Sequence, residues 1–501
     1  MLLPRKRASW LAALALAAAG CGTTVSLPPS ASAPAELGTT PVATAAAGTP
    51  AEAVPSSRGG AGAAATGSGP GVVRGSAETS APTGVSSTRS ASSAASNRPR
   101  VTTPIQIGFL AAAASTGVLA TIGAHSGTTE TPQDAMAFFV KKLNASGGLN
   151  GRRVEVVEDF INPASANYDT QASAACADFT QDHHVAVVFA IEGFFYSKDF
   201  SACLAHAGVP ELLALMGGVD PAALSEYPTT FSTTAPTVER RFTALIRGLT
   251  GNGFLTSKTK VGVVVEDCPY NVTAYNSVVA PMLKAHGISV VERSVTCVHG
   301  FADAAGFIAS MGQQVLPFKA VGVTRVMFVS GFEGLAAEYF ENQARSQSYK
   351  PYYALTSAAS VGDGSIGFNA DALSRVEGVG WEPDLDVSHL SRGSAATQRC
   401  ERMWQGYAPA TSRSNRQNND TTCEEFFVLE AALQVTRGAS SASALEAAIQ
   451  GLGTSYTSSM LLDGATDYGP GHKDAPRLFE TFGWKSSCSC IAYTGGPEPL
   501  A

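Results

Sequence analysis

Outside its first few residues the chain has no cluster of basic side chains. Its 34 Lys and Arg are outnumbered by 41 Asp and Glu, for a net charge of −7. Without a basic patch there is no electrostatic footprint for a phosphodiester backbone, so nucleic acid is not an expected partner. A second long apolar run is also missing, and nothing beyond the N-terminus reads as a membrane span. The glycine-rich spots GSGPG and DGSIG make neither a phosphate-binding loop nor a nucleophile elbow: the first type needs Lys-Ser/Thr and the second a leading Gly. Metal-ligand spacing is absent too. Cys488 and Cys490 have no companion Cys or His pair, and His183 and His184 close a helix before a strand, where cations suit the helix C-terminus. No cofactor is expected and no catalytic constellation emerges. Ser-His-Asp groups assemble in space rather than in sequence, so an exported hydrolase on an α/β scaffold stays as a minor alternative.

What is present begins with Arg5, Lys6 and Arg7, the apolar run Trp10 to Ala19, then Gly20 and Cys21. This reads as an export signal over 1–21. Ala18, Ala19 and Gly20 before Cys21 resemble a bacterial lipobox, in which the cysteine is diacylated and becomes the mature N-terminus. The usual Leu three places before the cysteine is Ala18 here, with Leu16 two residues earlier. The expectation is a lipoprotein held on the outer face of the cytoplasmic membrane or at the cell surface; ordinary secretion with Cys21 incidental is the alternative. From 22 to 103 the chain is nearly all Ala, Ser, Thr, Gly and Pro. Such a segment cannot bury enough apolar surface to offset its ordering entropy, and it reads as a disordered tether. As a flexible coil of about 80 residues it would reach roughly 50 Å.

Nine cysteines occur, and setting Cys21 aside leaves an even number, which in an exported chain argues for disulfides. Sequential pairing is the simplest scheme: Cys176 with Cys203, Cys268 with Cys297, Cys400 with Cys423, and Cys488 with Cys490. Each of the first three closes a loop worth roughly 3 kcal/mol by loop-entropy reasoning. A Cys-x-Cys bridge strains the usual geometry, so for Cys488 and Cys490 pairing elsewhere stays open.

Residues 104–501 are too many for one ordinary core and suit two lobes. Ile105, Ile107 and Phe109 alternate with Gln106 and Gly108, which predicts a strand; Thr131, Pro132 and Asp134 then cap a helix with Met136, Phe139, Val140 and Leu143 on one stripe. That helix stops at Asn144 before Gly147 and Gly148, and Val154 and Val156 open the next strand. The alternation continues: helix 166–182, strand 185–190, helix 197–207 and strand 211–215. After a break come helix 237–250, strand 260–266, helix 272–285, strand 288–295, helix 303–313, strand 325–330, helix 334–346 and strand 352–357. Two βαβ series predict two lobes of parallel sheet with helices on both faces. Ligands in such sheets bind at the carboxyl ends of the strands, here in the cleft between lobes.

The stretch NASGGLNGRRVEVVEDFINPASANYDTQASAACADFTQDHHVAVVFA resembles the second βαβ unit of the type I substrate-binding proteins of ABC importers, the leucine/isoleucine/valine-binding group. The similarity runs on through EDCPYN and the Glu424 to Val435 helix to the C-terminal strand. It implies the type I periplasmic binding protein fold: α/β, two Rossmann-like lobes joined by three crossings that close over a small ligand. The expected division is 104–233 with about 358–455 in lobe 1, and 234–357 with about 456–495 in lobe 2. A bridge like Cys176–Cys203 also occurs in that family. The implied partners are a small-molecule ligand and ABC permease subunits, with the membrane reached through the lipid anchor; a monomer that is not an enzyme is expected. A ligand-sensing domain without transport has the same fold and site.

Relatives that bind amino acids follow the third strand with Gly-Pro and a nearby Ser or Thr for the α-carboxylate. Here that place holds Glu192, Gly193, Phe194, Phe195 and Tyr196. A ligand carboxylate would be repelled by Glu192, which suits an ammonium, amide or hydroxyl instead, while Phe194, Phe195 and Tyr196 supply an apolar or cation-π wall; alternatively Glu192 faces solvent and the aromatics cover the lobe edge. In the second lobe Asp267, Cys268, Pro269, Tyr270 matches the family's Asp-x-x-Tyr-Gly loop, with Asn271 in place of Gly. The resemblance implies that Tyr270 contacts ligand, with packing under the loop as its alternative role. Ser115 and Thr116 after the first strand, Phe332 and Glu333 after the strand ending at Ser330, and Ser357 complete the candidate set.

Overall fold

The computed structural model describes residues 103–112, 131–162, 165, 167–193, 197–215, 219–299, 303–360, 367–383, 385, 392–407 and 413–500. The alternating IQIGFLAA becomes β1 (Ile105–Ala112), and parallel partners form around it: β2 (Val154–Ile161), β3 (Val187–Gly193), β4 (Glu211–Leu215) and β5 (Thr230–Ser232). Their order, β2-β1-β3-β4-β5, gives the five-stranded parallel sheet of the first lobe. The helix Arg413–Val435 lies on it, with Phe426 stacked on Phe139 at 5.0 Å and edge-on to Phe189 at 4.9 Å.

The turn between the helix Pro132–Ala145 and β2 shows why its residues are needed. Gly147 and Gly148 have φ of 105° and 71°, and a Cβ on Gly148 would lie 1.9 Å from the Arg152 carbonyl oxygen. Asn144 bridges to the strand, donating to Val154 O at 2.9 Å and accepting from Val154 N at 2.8 Å. Buried Arg152 donates to Thr103 O at 2.8 Å and Gly438 O at 3.0 Å, clamping β1 to the loop after the long helix.

In the second lobe β6 (Lys260–Glu266), β7 (Ser289–Val295), β8 (Arg325–Val329), β9 (Tyr352–Thr356) and β10 (Val376–Gly380) are parallel, while β11 (Leu478–Lys485) and β12 (Cys490–Tyr493) are antiparallel additions. The order is β12-β11-β10-β9-β8-β6-β7, with β13 (Glu498–Pro499) also on β11. The second sheet keeps its parallel core and adds antiparallel strands at one edge, because the returning chain enters beside β10 from the opposite direction. β10 pairs with β9 and β11 inside this second sheet. Its sequence, VEGVG, hides the strand because Gly378 is small for a packing reason: a Cβ there would meet the Leu355 carbonyl oxygen at 1.9 Å.

Three crossings join the lobes, at 233–237, after Gly380 and between Gln450 and β11. They interlock. Ser232 N donates to Lys473 O at 2.8 Å, Trp381 Nε1 to Thr234 O at 3.0 Å, and Leu462 N to Trp381 O at 2.7 Å. All four sequential disulfides are present, and Cys488–Cys490 sits where β11 turns into β12. No helix among the described residues is long and apolar enough to cross a membrane.

Candidate ligand cleft

By the rule that open α/β sheets bind ligand at the carboxyl ends of their strands, the ends of β1, β3 and β4 supply one wall of the candidate site and those of β6, β8 and β9 the other. On the first wall Ser115, Thr116, Phe194 and Phe195 lie outside the described residues. Glu192 and Gly193 are the last residues of β3, where the pairing with β4 shifts register between Ala190 and Gly193; the Glu192 side chain is not described. Beyond β4, Asp220 caps the helix Pro221–Glu226, accepting from Ala222 N at 2.9 Å.

The second wall is built on a buried carboxylate. β6 is an unbroken apolar strand whose last residue, Glu266, is fully enclosed. Its Oε2 accepts from Ser330 Oγ at 2.8 Å, Gly331 N at 3.0 Å and Asn271 Nδ2 at 3.3 Å, and its Oε1 from Val298 N at 2.9 Å. One side chain thus holds the loops that follow β6, β7 and β8. Burial pushes its carboxyl above the usual range, and the donors only partly offset this.

Arg241, from the helix Val238–Gly251 that follows the first crossing, is also fully buried and donates to Ser330 O at 2.9 Å. Its charge acts on Glu333, Tyr270 and Glu266. Glu333 accepts from Thr356 N at 2.9 Å and from the Thr356 hydroxyl, so its carboxylate ties the loop after β8 to the end of β9. Desolvation raises Glu333 while Arg241 and the Thr356 bonds pull it back. A Cβ on Gly331 would come within 3.0 Å of the Tyr270 hydroxyl, which places that phenol directly over the loop after β8. Burial, then the Glu266 charge, pushes the Tyr270 phenol up, and Asp220 adds to this from the opposite wall.

Of the residues expected from sequence, Tyr270, Phe332, Glu333 and Ser357 therefore share the strand-end loops of one lobe. Phe332 donates its N–H to Ser330 Oγ at 3.0 Å and packs its ring against Phe307 at 6.4 Å. Glu333 and Ser357 are buried, and the Ser357 hydroxyl oxygen accepts from Trp381 N at 3.4 Å on the second crossing. Sequence reasoning missed Glu266, Arg241, Ser330 and Asn271. The charge ending an apolar strand was a usable signal for Glu266, and the departure from Gly was one for Asn271, whose side chain turns in to the Glu266 carboxylate. Glu266 Oε, Cys268 Sγ and Cys297 Sγ lie within 4.8 Å of one another, but the two sulfurs are joined and offer no thiolate to a metal.

No protein-family model matches the sequence, and no curated protein matches it. Solved structures do. An ABC transporter substrate-binding protein from Desulfitobacterium hafniense is similar at 16% identity and a TM-score of 0.54, covering 79% of this chain and 99% of its own. A solute-binding protein of an ABC transporter from Rhodopseudomonas palustris BisB5, in complex with 3,4-dihydroxybenzoic acid, is similar at 13% identity and a TM-score of 0.58, covering 79% and 98%. A branched-chain amino acid ABC transporter structure from Thermus thermophilus with bound valine is similar at 11% identity and a TM-score of 0.56, covering 79% and 97%. With two α/β lobes joined by three interlocked crossings, the chain has the fold of the type I periplasmic substrate-binding proteins of ABC transporters.

Proposed function

We propose that the chain is an extracytoplasmic solute-binding lipoprotein that captures a small polar organic ligand between its lobes and delivers it to an ABC importer. The observation that carries this reading is the second wall: a loop set knotted through Glu266 and Arg241 that presents Tyr270 toward the Asp220 side of the cleft. Ligand contacts from both lobes would favour the closed form, which a permease can recognise. The solved neighbours hold ligands as different as valine and 3,4-dihydroxybenzoic acid, so the fold alone leaves the chemistry open. Acidic groups gather around Tyr270 and Arg241: Asp220 acts on the Tyr270 phenol, and the enclosed Glu266 and Glu333 act on the buried Arg241. That balance favours a ligand rich in hydrogen-bond donors, such as an amine, amide or amino acid, over a bare carboxylate.

The test is thermal shift of the purified chain against amino acids, amides, polyamines and aromatic acids. A hit should stabilise the wild type and lose most of that shift in Tyr270→Ala and in Glu192→Ala; an undiminished shift in both would remove these residues from the site. Uptake of the same solute should disappear in a deletion strain, whereas a sensing domain would leave uptake intact and change a response instead. Anchoring through Cys21 is tested separately. Cys21→Ser should move the protein from the membrane fraction to the medium or periplasm, because acyl chains supply the attachment; continued membrane retention would end that part of the proposal.

A further inference from the structure

Two consecutive glutamates on the helix Arg413–Val435 each grip a different crossing. Glu424 Oε2 accepts from Ser459 N at 2.7 Å and Ser459 Oγ at 2.8 Å, on the third crossing. Glu425 Oε1 accepts from Thr233 Oγ1 at 2.8 Å, on the first. Both side chains are fully buried. Glu424 also meets the phenol of Tyr456 on the third crossing, whereas Glu425 Oε2 has no hydrogen-bond partner among the described residues.

No basic side chain among the described residues pairs with either glutamate. The nearby cations are occupied elsewhere: Arg240 with Asp474 at 2.6 Å and Arg399 with Glu430 at 2.5 Å. The charged and titratable groups facing the pair are Tyr456 beside Glu424, Tyr468 between Glu424, Glu425 and Asp474, and Glu211 toward Glu425. All of these are acids. Two carboxylates enclosed together without a counter-ion cannot both ionise without a large desolvation and repulsion cost.

We propose that Glu424 and Glu425 form a proton-operated clasp on the hinge, holding the first and third crossings to the first lobe while they retain protons and loosening them when they ionise. Burial raises Glu424, and burial followed by repulsion from Glu424 and Glu211 raises Glu425 well above the ordinary carboxylate value. The sign follows. A carboxyl whose folded-state affinity for protons exceeds its unfolded one stabilises the fold below its ordinary value and loses that contribution as pH rises through the folded value. The clasp is therefore tight in acid and slackens with rising pH. Tyr456 also lines a surface pocket of about 450 Å³ with Ala431, Gln434 and Leu452, so the cluster is one side chain from solvent and protons can reach it.

The experiment is amide hydrogen exchange at about pH 5 and about pH 8, corrected for the intrinsic base-catalysed rate. Protection at 233–237 and 457–466 should drop several-fold more than elsewhere in the wild type as pH rises. In Glu424→Gln/Glu425→Gln, which carries no ionisable group at the clasp, that extra drop should vanish. The control Glu377→Gln removes an acid of β10, in the second sheet, whose carboxyl is also raised by burial and which does not act on either clasp glutamate. It should shift overall stability with pH but leave the differential exchange in place. Equal pH dependence of the crossings and the rest of the wild-type fold would overturn the clasp without any variant, as would an unchanged differential in the double variant. Should the double variant fail to fold, Glu425→Gln alone carries the same expectation at 233–237.

Discussion

Replacing Arg241 with Met should destabilise the protein by about 3–5 kcal/mol at neutral pH, the usual cost of removing one partner from a buried charge group. The guanidinium is coupled to both Glu266 and Glu333, each fully enclosed, and it also holds Ser330 O at 2.9 Å. Without it the two carboxyls keep their donors but lose their counter-charge, and both shift further up. Their contribution is then present in acid and lost as pH rises, so the deficit relative to wild type should be small near pH 4 and full near pH 8. Urea denaturation across that range measures it. A deficit independent of pH would mean that Arg241 acts through packing, for example the 4.5 Å contact of its guanidinium with the Phe242 ring.

Glu266→Ala should behave differently. Arg241 would still face Glu333, so no charge is stranded; what is lost is the acceptor shared by Ser330, Gly331, Asn271 and Val298. Buried donors left unmatched cost about 1–3 kcal/mol each, and water entering the vacated space recovers part, so a net loss of about 3 kcal/mol is expected. The effect should also be local. Exchange protection should fall at Val298 and Gly331 before the five-stranded sheet responds, and any ligand-induced thermal shift should vanish, because the loop under Tyr270 is no longer fixed. A loss spread evenly through both lobes would show that Glu266 serves global stability rather than the shape of the wall. Combining the two substitutions should cost less than their sum, since removing Glu266 also removes one of the carboxyls that Arg241 compensates.

Much of this architecture is legible in the chain because it is written in local patterns. Thr131, Pro132 and Asp134 form the expected capping box, and Gly147 and Gly148 adopt the positive φ that the helix ending requires. The apolar run KVGVVVE is a strand over Lys260–Glu266, as its composition demands. What escaped notice is either short or assembled from distant residues. β5 is only three residues long, and β10 carries two glycines whose smallness reflects close packing rather than a turn. Within the cleft, Tyr270 could be placed from the loop motif it sits in. Arg241 and Glu333 meet across 92 positions, and no local rule announces that a helix-borne arginine will be buried beside them.

The interlocked crossings also constrain the order in which the chain can be completed. The outer edge of β5 is covered by the pairing of Ser232 with Asp474, through Ser232 N to Lys473 O at 2.8 Å and Ala475 N to Ser232 O at 2.9 Å. A chain emerging from its N-terminus therefore presents an open strand edge on the first lobe until residues near 475 arrive. Open edges are templates for the wrong neighbour, and pairings this distant in sequence form slowly. Newly made molecules should be most prone to aggregate in the interval between synthesis of β5 and synthesis of the third crossing, and truncation anywhere before residue 473 should yield a first lobe that cannot close its own sheet.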